Sequence, residues 1–402
     1  MLPRRCHPLG GTLTAVTRSL TGRLRTTDRV AEFEAALRQR LGCRHVLAVA
    51  SGRDALLLAL DALGLAPGDQ LIIPAYTLGE LLPLLHDRGL ELVPADVDPA
   101  TFNVTPETVA ARIGARTRAL LVVHLFGAPC DLAGLRAVAD RHRLALIEDA
   151  AHALGARLGD GRPAGTGGRV GCFSLEPGKP LGTFGGGLLV TDDDALAQAA
   201  RERRASLPRR EGRALRRVAT TCAEELGVRS PLYGPLARLL FAPRLAGAFE
   251  RHYRGAHARA RQPAAYSRLQ ADLGLARLPG LEERNARLEA LAAQVAAGLP
   301  PGFTAQRRDR HGTPAFYQLV ARYRGDPAAL RQAALRHGLD LGIGSEVMDD
   351  TAALLEVTDC PHAAAVAAEA VLLPVHAGLD HHQVPRLLER LARAAGEVER
   401  GR

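Results

Sequence analysis

Short runs of aliphatic and β-branched residues recur along the first half of the chain, at residues 46–51, 70–75, 91–97, 118–126, 143–150, 171–176 and 186–191. Each has the length and continuous apolar character of a buried strand. Between most of them apolar residues repeat at i, i+3 and i+4, as at 54–64, 106–114 and 131–143, which predicts helices. Only a shorter link joins the last two strands. Strand–helix alternation predicts an α/β fold: a mostly parallel seven-stranded sheet with helices on both faces and right-handed crossovers, followed by a smaller α+β C-terminal domain. The expected division is a large domain over 1–200, an arginine-rich insertion over 201–265 and a small domain over 266–402. In open sheets of this kind ligands collect at the carboxyl ends of the strands, so the residues just after each run are the candidates for chemistry.

Composition narrows the classes of function. The 402 residues are 47% hydrophobic, with a mean hydropathy of -0.03, and no apolar run approaches the roughly 20 residues that a membrane-spanning helix needs. The first 27 residues carry arginine and no acid, yet lack a long apolar core, which suits an N-terminal arm better than a targeting segment. Six cysteines are scattered singly, without the close pairs of a zinc or iron–sulfur site, so reduced thiols in the cytoplasm and no bound metal are expected. The net charge of +9 is local. Residues 201–261 hold 15 arginines against five acidic residues. Aromatics do not alternate with basic residues there, so a nucleic-acid platform is not expected. Apolar stretches such as Leu232-Tyr233-Gly234-Pro235-Leu236 between arginines suit an anionic membrane surface or a phosphorylated substrate, but a solvated helical insertion packed on the body explains them better.

One count points at a site. Of 52 Lys plus Arg, only Lys179 is lysine. Arginine substitutes wherever positive charge alone is needed, but a guanidinium stays protonated at any accessible pH, whereas an amine can lose its proton and attack a carbonyl. Schiff-base chemistry accounts for a solitary lysine; chance survival does so as well, and context must decide.

That context lies at three strand ends. After the first run comes Ser51-Gly52-Arg53-Asp54, opening directly into a helix: glycine admits close backbone approach, free helix amides favour a phosphate, and Arg53 adds a charged fork. A plain helix cap would look the same. After the fifth run comes Glu148-Asp149-Ala150-Ala151-His152, where Asp149 is either a cap or a partner for a protonated pyridine nitrogen, and His152 either a loop histidine or a neighbour of the ring oxygen. After the sixth come Ser174, a candidate phosphate donor, and Lys179, inside Glu176-Pro177-Gly178-Lys179-Pro180 and ahead of Gly185-Gly186-Gly187, glycines that allow backbone to crowd a ligand. Phosphate cradle, ring-nitrogen partner and carbonyl nucleophile are three parts of one cofactor, pyridoxal 5'-phosphate.

At these residues the sequence resembles the DegT/StrS-type aminotransferases. The likeness runs over nearly the whole chain, through Phe33-Glu34, Ser51-Gly52, Gly68-Asp69, His124 with Phe126-Gly127, 148–156, Phe173-Ser174 to Lys179, Leu269-Gln270-Ala271, Asn285 and Leu373-Pro374-Val375-His376. It implies the transferase fold type I of PLP enzymes. It further implies an internal aldimine on Lys179, Asp149 at the pyridine nitrogen, His152 beside the ring oxygen, and Gly52, Arg53 and Ser174 on the phosphate. By the same resemblance the protein is a homodimer that moves an amino group from a donor such as glutamate to a nucleotide-linked ketosugar. A PLP-dependent dehydratase or lyase, and a non-catalytic scaffold, are the competing readings. Several positions depart from the family pattern: Leu78 replaces an aromatic ring, Arg53 a threonine, Pro180 an asparagine and Gly185 a glutamate. Ala264-Ala265-Tyr266 stands where Asn-Tyr-Arg is usual, which points to an atypical substrate or a lesser role for the second subunit.

Overall fold

The computed structural model describes residues 1–6, 9, 11–21, 28–208, 211–240 and 264–401. Seven strands form the main sheet: β1 (His45–Val49), β2 (Gln70–Pro74), β3 (Glu91–Ala95), β4 (Thr117–Val123), β5 (Ala145–Asp149), β6 (Val170–Ser174) and β7 (Gly187–Thr191), in the order β1-β7-β6-β5-β4-β2-β3. All seven expected runs are strands. The pairs β3–β2–β4–β5–β6 are parallel, while β7 is antiparallel to both β6 and β1. The short link from β6 to β7 has no room for a crossover helix, so it returns the chain antiparallel.

Helices α1 (Thr12–Thr21), α2 (Arg29–Leu41), α3 (Gly52–Leu63), α4 (Leu132–His142) and α5 (Asp194–Ala205) belong to this half. Strand alternation divides the sheet between two apolar layers. Leu47, Leu71, Ile73, Leu121 and Ile147 pack with Leu56 and Leu60 of α3 and Leu196 of α5. Val46, Ile72, Leu120, Val122 and Leu146 pack with Phe33 and Leu37 of α2 and Leu132 and Leu135 of α4. Helix α3 starts where Ser51 accepts a bond from Asp54 N (3.1 Å) and stops at left-handed Gly64; α4 is capped by Asp131, whose carboxylate accepts from Gly134 N (3.1 Å). These caps satisfy amides that would otherwise be orphaned.

Two expected boundaries moved. The run 118–126 ends as a strand at Val123, because Phe126 and Gly127 take left-handed conformations (φ 55° and 89°) and reverse the chain beneath Ala315. The expected helix 106–114 is the shorter Pro106–Ala110. A Cβ on Gly127 would collide with the Ala315 carbonyl. Gly127→Ala is therefore expected to cost about 2–4 kcal/mol, read as a lower midpoint in denaturant unfolding.

Helices α6 (Glu211–Arg229) and α7 (Tyr233–Leu240) lie in the basic segment; the remainder of that expectation, 241–261, falls outside the described residues. Helix α6 buries Ala214 and Val218 against Phe184, Leu269 and Leu273. Helix α8 (Arg268–Arg277), placed by the sequence in the small domain, instead packs on the large one, with Gly274 against the Phe33 ring. The smaller sheet is antiparallel throughout: β8 (Phe303–Ala305), β9 (Leu319–Tyr323), β10 (Gly342–Ile343) and β11 (Ala370–Leu373), in the order β8-β9-β11-β10. Its outer face is covered by α9 (Leu281–Ala297), α10 (Pro327–Arg336) and α11 (Val384–Arg400), while Val320 and Leu372 turn inward to the large core. The first residues, assigned by the sequence to the large domain, run along this sheet: Leu2 N donates to Gly338 O (2.9 Å) and Asp340 N to Leu2 O (3.1 Å).

Candidate active site

The carboxyl ends of β1, β5 and β6 face the smaller sheet across a cleft of about 1270 Å³. Gly52, Arg53, Asp149, His152, Ser174 and Lys179 all line it, so the six residues singled out in the sequence come together.

Lys179 is placed by a turn that its neighbours dictate. Pro177 and Gly178 (φ 87°) occupy the central positions, and Lys179 N donates to Glu176 O (3.1 Å); proline followed by glycine is the type II combination. The amine then lies over the Tyr317 ring, 4.0 Å from its centroid. His152 stacks on the same tyrosine (4.2 Å between centroids, 19° between planes) and on Phe126 (5.9 Å, 8°). Its Nδ1 accepts from Phe126 N (3.1 Å), leaving the ring proton on Nε2. Burial, reinforced by Lys179, Arg5 and Arg308, holds His152 well below the usual histidine range. It is a neutral, flat ring at working pH.

At the end of β5 the two acidic neighbours separate by strand alternation. Glu148 is wholly buried and structural: it accepts from His124 Nε2 (2.8 Å), Gly165 N (2.9 Å), Gly167 N (2.6 Å) and Gly168 N. Asp149 faces the cleft. Its Oδ1 accepts from Ala151 N (2.9 Å), so the cap reading of this residue is real but uses one oxygen; Oδ2 has no hydrogen-bond partner among the described residues. Burial raises the Asp149 carboxyl above its usual value, against the opposing pull of the Ala151 amide, Lys179 and His124. The carboxylate is short of positive charge.

At the start of α3, a Cβ on Gly52 would come within 2.9 Å of Ser174 Cβ, so only glycine lets the helix amides and the Ser174 hydroxyl share one corner. That hydroxyl has no hydrogen-bond partner among the described residues. Helix amides, a free hydroxyl and close backbone approach fit a phosphate. Arg53 is differently engaged: its guanidinium pairs with Glu80 (2.6 Å). The three glycines after Phe184 crowd protein, not a ligand: a Cβ on Gly186 would strike the Tyr266 ring, and one on Gly187 the Ser51 carbonyl.

Tyr317 was not found by sequence reasoning. The signal available was the adjacent pair Phe316-Tyr317 in a chain with only 4% aromatic residues, but nothing linked it to a lysine 138 positions earlier. Tyr317→Phe is expected to keep most activity, whereas Tyr317→Ala should lose about tenfold in kcat, on the scale of one cation–ring contact of roughly 1–2 kcal/mol. Single-turnover rates with an amino donor check this.

The model of the DegT/DnrJ/EryC1/StrS aminotransferase family matches residues 11–232. The chain belongs to that family. A dTDP-3-amino-3,4,6-trideoxy-alpha-D-glucose transaminase of Streptomyces venezuelae is 43% identical over 189 residues, which are 46% of this chain and 50% of that protein. A UDP-N-acetyl-3-dehydro-alpha-D-glucosamine 3-aminotransferase of Acidithiobacillus ferrooxidans is 41% identical over 170 residues, 42% of this chain and 46% of its own length. The chain thus matches about half the length of these curated relatives. Among solved structures, S. venezuelae DesV in complex with a ketimine intermediate superposes with a TM-score of 0.74 at 28% identity, covering 96% of this chain and 98% of that one. The sugar aminotransferase CalS13 from Micromonospora echinospora gives 0.76 at 28% identity over 98% and 99%.

Family membership gives the departures a structural setting. Leu78, in place of an aromatic ring, lines the cleft, while Tyr317 supplies a ring beside Lys179. Tyr266, in the stretch that departs from Asn-Tyr-Arg, is buried, stacked on Phe33 (5.7 Å) and hydrogen-bonded to the Thr183 hydroxyl (2.9 Å). Here it is a packing residue. Helix α6 lines the cleft through Arg217 and Glu224, with Arg217 paired to Glu176 (2.9 Å), so the basic segment contributes to the site as well as packing on the body.

Proposed function

We propose that this protein is a PLP-dependent aminotransferase that passes an amino group from a donor such as glutamate to a nucleotide-linked ketosugar. The observation that carries the reading is the chain's single lysine, held in one cleft with a half-used, half-buried carboxylate, a helix start closed by Gly52 and an unbonded serine hydroxyl. The activities named for the Streptomyces and Acidithiobacillus relatives support the ketosugar class.

The residues fit pyridoxal 5'-phosphate. Ser174 and the first amides of α3 would hold its phosphate, Asp149 Oδ2 its pyridine nitrogen, and His152, through its Nε2 proton, its ring oxygen, with Arg53 close to the phosphate end through its place beside Gly52. When bound, the cofactor supplies an aldehyde that exchanges amines and a ring that accepts electrons. The chain's own work is the rest. Lys179 Nζ would hold the aldehyde end of the cofactor and, as a free amine, would accept and return the proton of the donor carbon. Asp149, by its negative charge, would favour a protonated ring nitrogen. The walls at Leu56, Leu81, Val123 and Phe173 limit water.

The same reading includes a homodimer, for which the exposed Leu215 and Leu226 on α6 beside the cleft offer apolar surface, and a cytoplasmic setting, in which the six unpaired cysteines stay reduced. No helix among the described residues is long and apolar enough to cross a membrane. Glutamate added to the yellow purified protein is expected to bleach it stoichiometrically, and a nucleotide-linked ketosugar to restore the colour. Release of ammonia or loss of water without that reversible half-reaction would point to a lyase or dehydratase instead.

A further inference from the structure

A second cavity, of about 630 Å³, meets the first at Lys179 and shares Arg5, Pro177 and Tyr317 with it. Its walls include the apolar Leu288, Phe316 and Val375. Its charge is unusual for this protein. Neither Arg5 nor Arg284, both lining it, has a carboxylate within ion-pair distance among the described residues, whereas neighbouring arginines are neutralised: Arg4 by Glu346, Arg308 by Glu289 (2.5 Å), Arg217 by Glu176 (2.9 Å).

Both guanidiniums are instead held by neutral oxygens. With its amide turned to satisfy its neighbours, Gln318 accepts from Arg5 Nε (3.2 Å) and Nη2 (2.9 Å); Arg5 Nη2 also reaches Glu346 O (3.4 Å). Arg284 Nη2 donates to Pro180 O (3.1 Å), directly after Lys179. Such bonds orient a guanidinium without cancelling its charge. Burial lowers the Arg284 pKa, the mark of a cation that lacks a counter-ion. Arg5 is brought here by the N-terminal arm, which Leu2 pins to the chain at Gly338 and Asp340. An arginine in this setting gains from a ligand that brings negative charge, because a charge-assisted fork forms, and at Arg284 part of the desolvation has already been met.

We propose that Arg5 and Arg284 form the carboxylate subsite for a dicarboxylic amino-acid donor of the glutamate class. The inference rests on the aminotransferase reading and refines it. The donor is small, must bring its amine to Lys179 and carries two negative ends. The cavity is smaller than the main cleft, opens on Lys179 and presents two uncompensated cations on an apolar wall. A nucleotide-linked sugar is far bulkier and would need the larger cleft, where Arg217 and Glu224 stand.

The test is calorimetric titration of the holoenzyme with glutarate, which has both carboxylates and no amine to react, beside butyrate and UDP as probes of one carboxylate and of a nucleotide diphosphate. Glutarate should bind more tightly than butyrate. Arg5→Ala and Arg284→Gln should each raise its Kd at least about tenfold, Arg5→Lys should recover part of the loss, and UDP affinity should stay unchanged in Arg284→Gln, because Arg284 lines only the second of the two cavities. Arg5 is exposed, so its substitution leaves folding intact, and a thermal melt verifies this for Arg284→Gln. Unchanged glutarate affinity in the folded variants, or weakened UDP with glutarate unaffected, would overturn the subsite. Arginine-dependent glutarate binding by a protein that glutamate never bleaches would retain the subsite and overturn the aminotransferase reading.

Discussion

Lys179→Arg is expected to lower turnover by about 10⁴-fold or more while the protein still folds and retains affinity for pyridoxal phosphate. The substitution keeps positive charge, stem length and the position over Tyr317, and removes only the ability to become a free amine. Everywhere else in this sequence arginine has taken the basic positions. If charge alone mattered at 179, the change would be nearly silent. The phosphate corner at Gly52 and Ser174 and the carboxylate of Asp149 are untouched by it, so cofactor affinity, read by fluorescence or dialysis, should fall far less than kcat. A parallel collapse of both would mean that Lys179 holds the site together instead of acting in it.

The second large effect concerns Asp149. Asp149→Asn keeps the Oδ1 bond to Ala151 N and removes the negative charge, so kcat is expected to fall by about 10²–10³-fold, the scale of losing one pre-placed electrostatic partner. Stability should move the other way in the cofactor-free protein. Burial raises the Asp149 pKa above its usual 3.8; the folded state therefore binds the proton more tightly than the unfolded one. The protonated group's contribution is complete below the unfolded pKa and is lost as pH rises through the folded one. At neutral pH the charged form is thus a burden on the fold, and asparagine relieves it. The cofactor-free variant should melt above wild type at pH 7, with the gap closing as pH falls toward 3.8. A carboxylate serving only as a cap would give a variant with equal or lower Tm and near-normal activity.

Much of the fold is legible because the main sheet is buried on both faces. Continuous apolar runs then mark each strand, and helix caps at Ser51 and Asp131 mark two of the helices. The site is legible where one residue's chemistry cannot be exchanged: an amine for Lys179, the missing Cβ of Gly52, a carboxylate at a strand end for Asp149. What stays hidden depends on contacts between distant segments. Phe126 and Gly127 end β4 early because the backbone at Ala315 lies over them, and no local propensity encodes that neighbour. Arg53, a plausible phosphate ligand from its place beside Gly52, is drawn to Glu80, a residue whose proximity only the folded chain shows. Tyr317 and Arg5 reach the cleft from distant parts of the sequence, one just before β9 of the smaller sheet and the other on the N-terminal arm. Helix α8 reads as part of the small domain by order along the chain, yet the closest surface for Gly274 is Phe33.

Borohydride reduction of the yellow protein, followed by peptide mass mapping, tests the central claim most directly. Because the chain has one lysine, the α-amino group is the only other primary amine available to the reagent. The account predicts a single peptide carrying the reduced cofactor, modified at Lys179, and none from Lys179→Arg. Label confined to the α-amino group, or no covalent cofactor in a protein that binds it, would contradict the account.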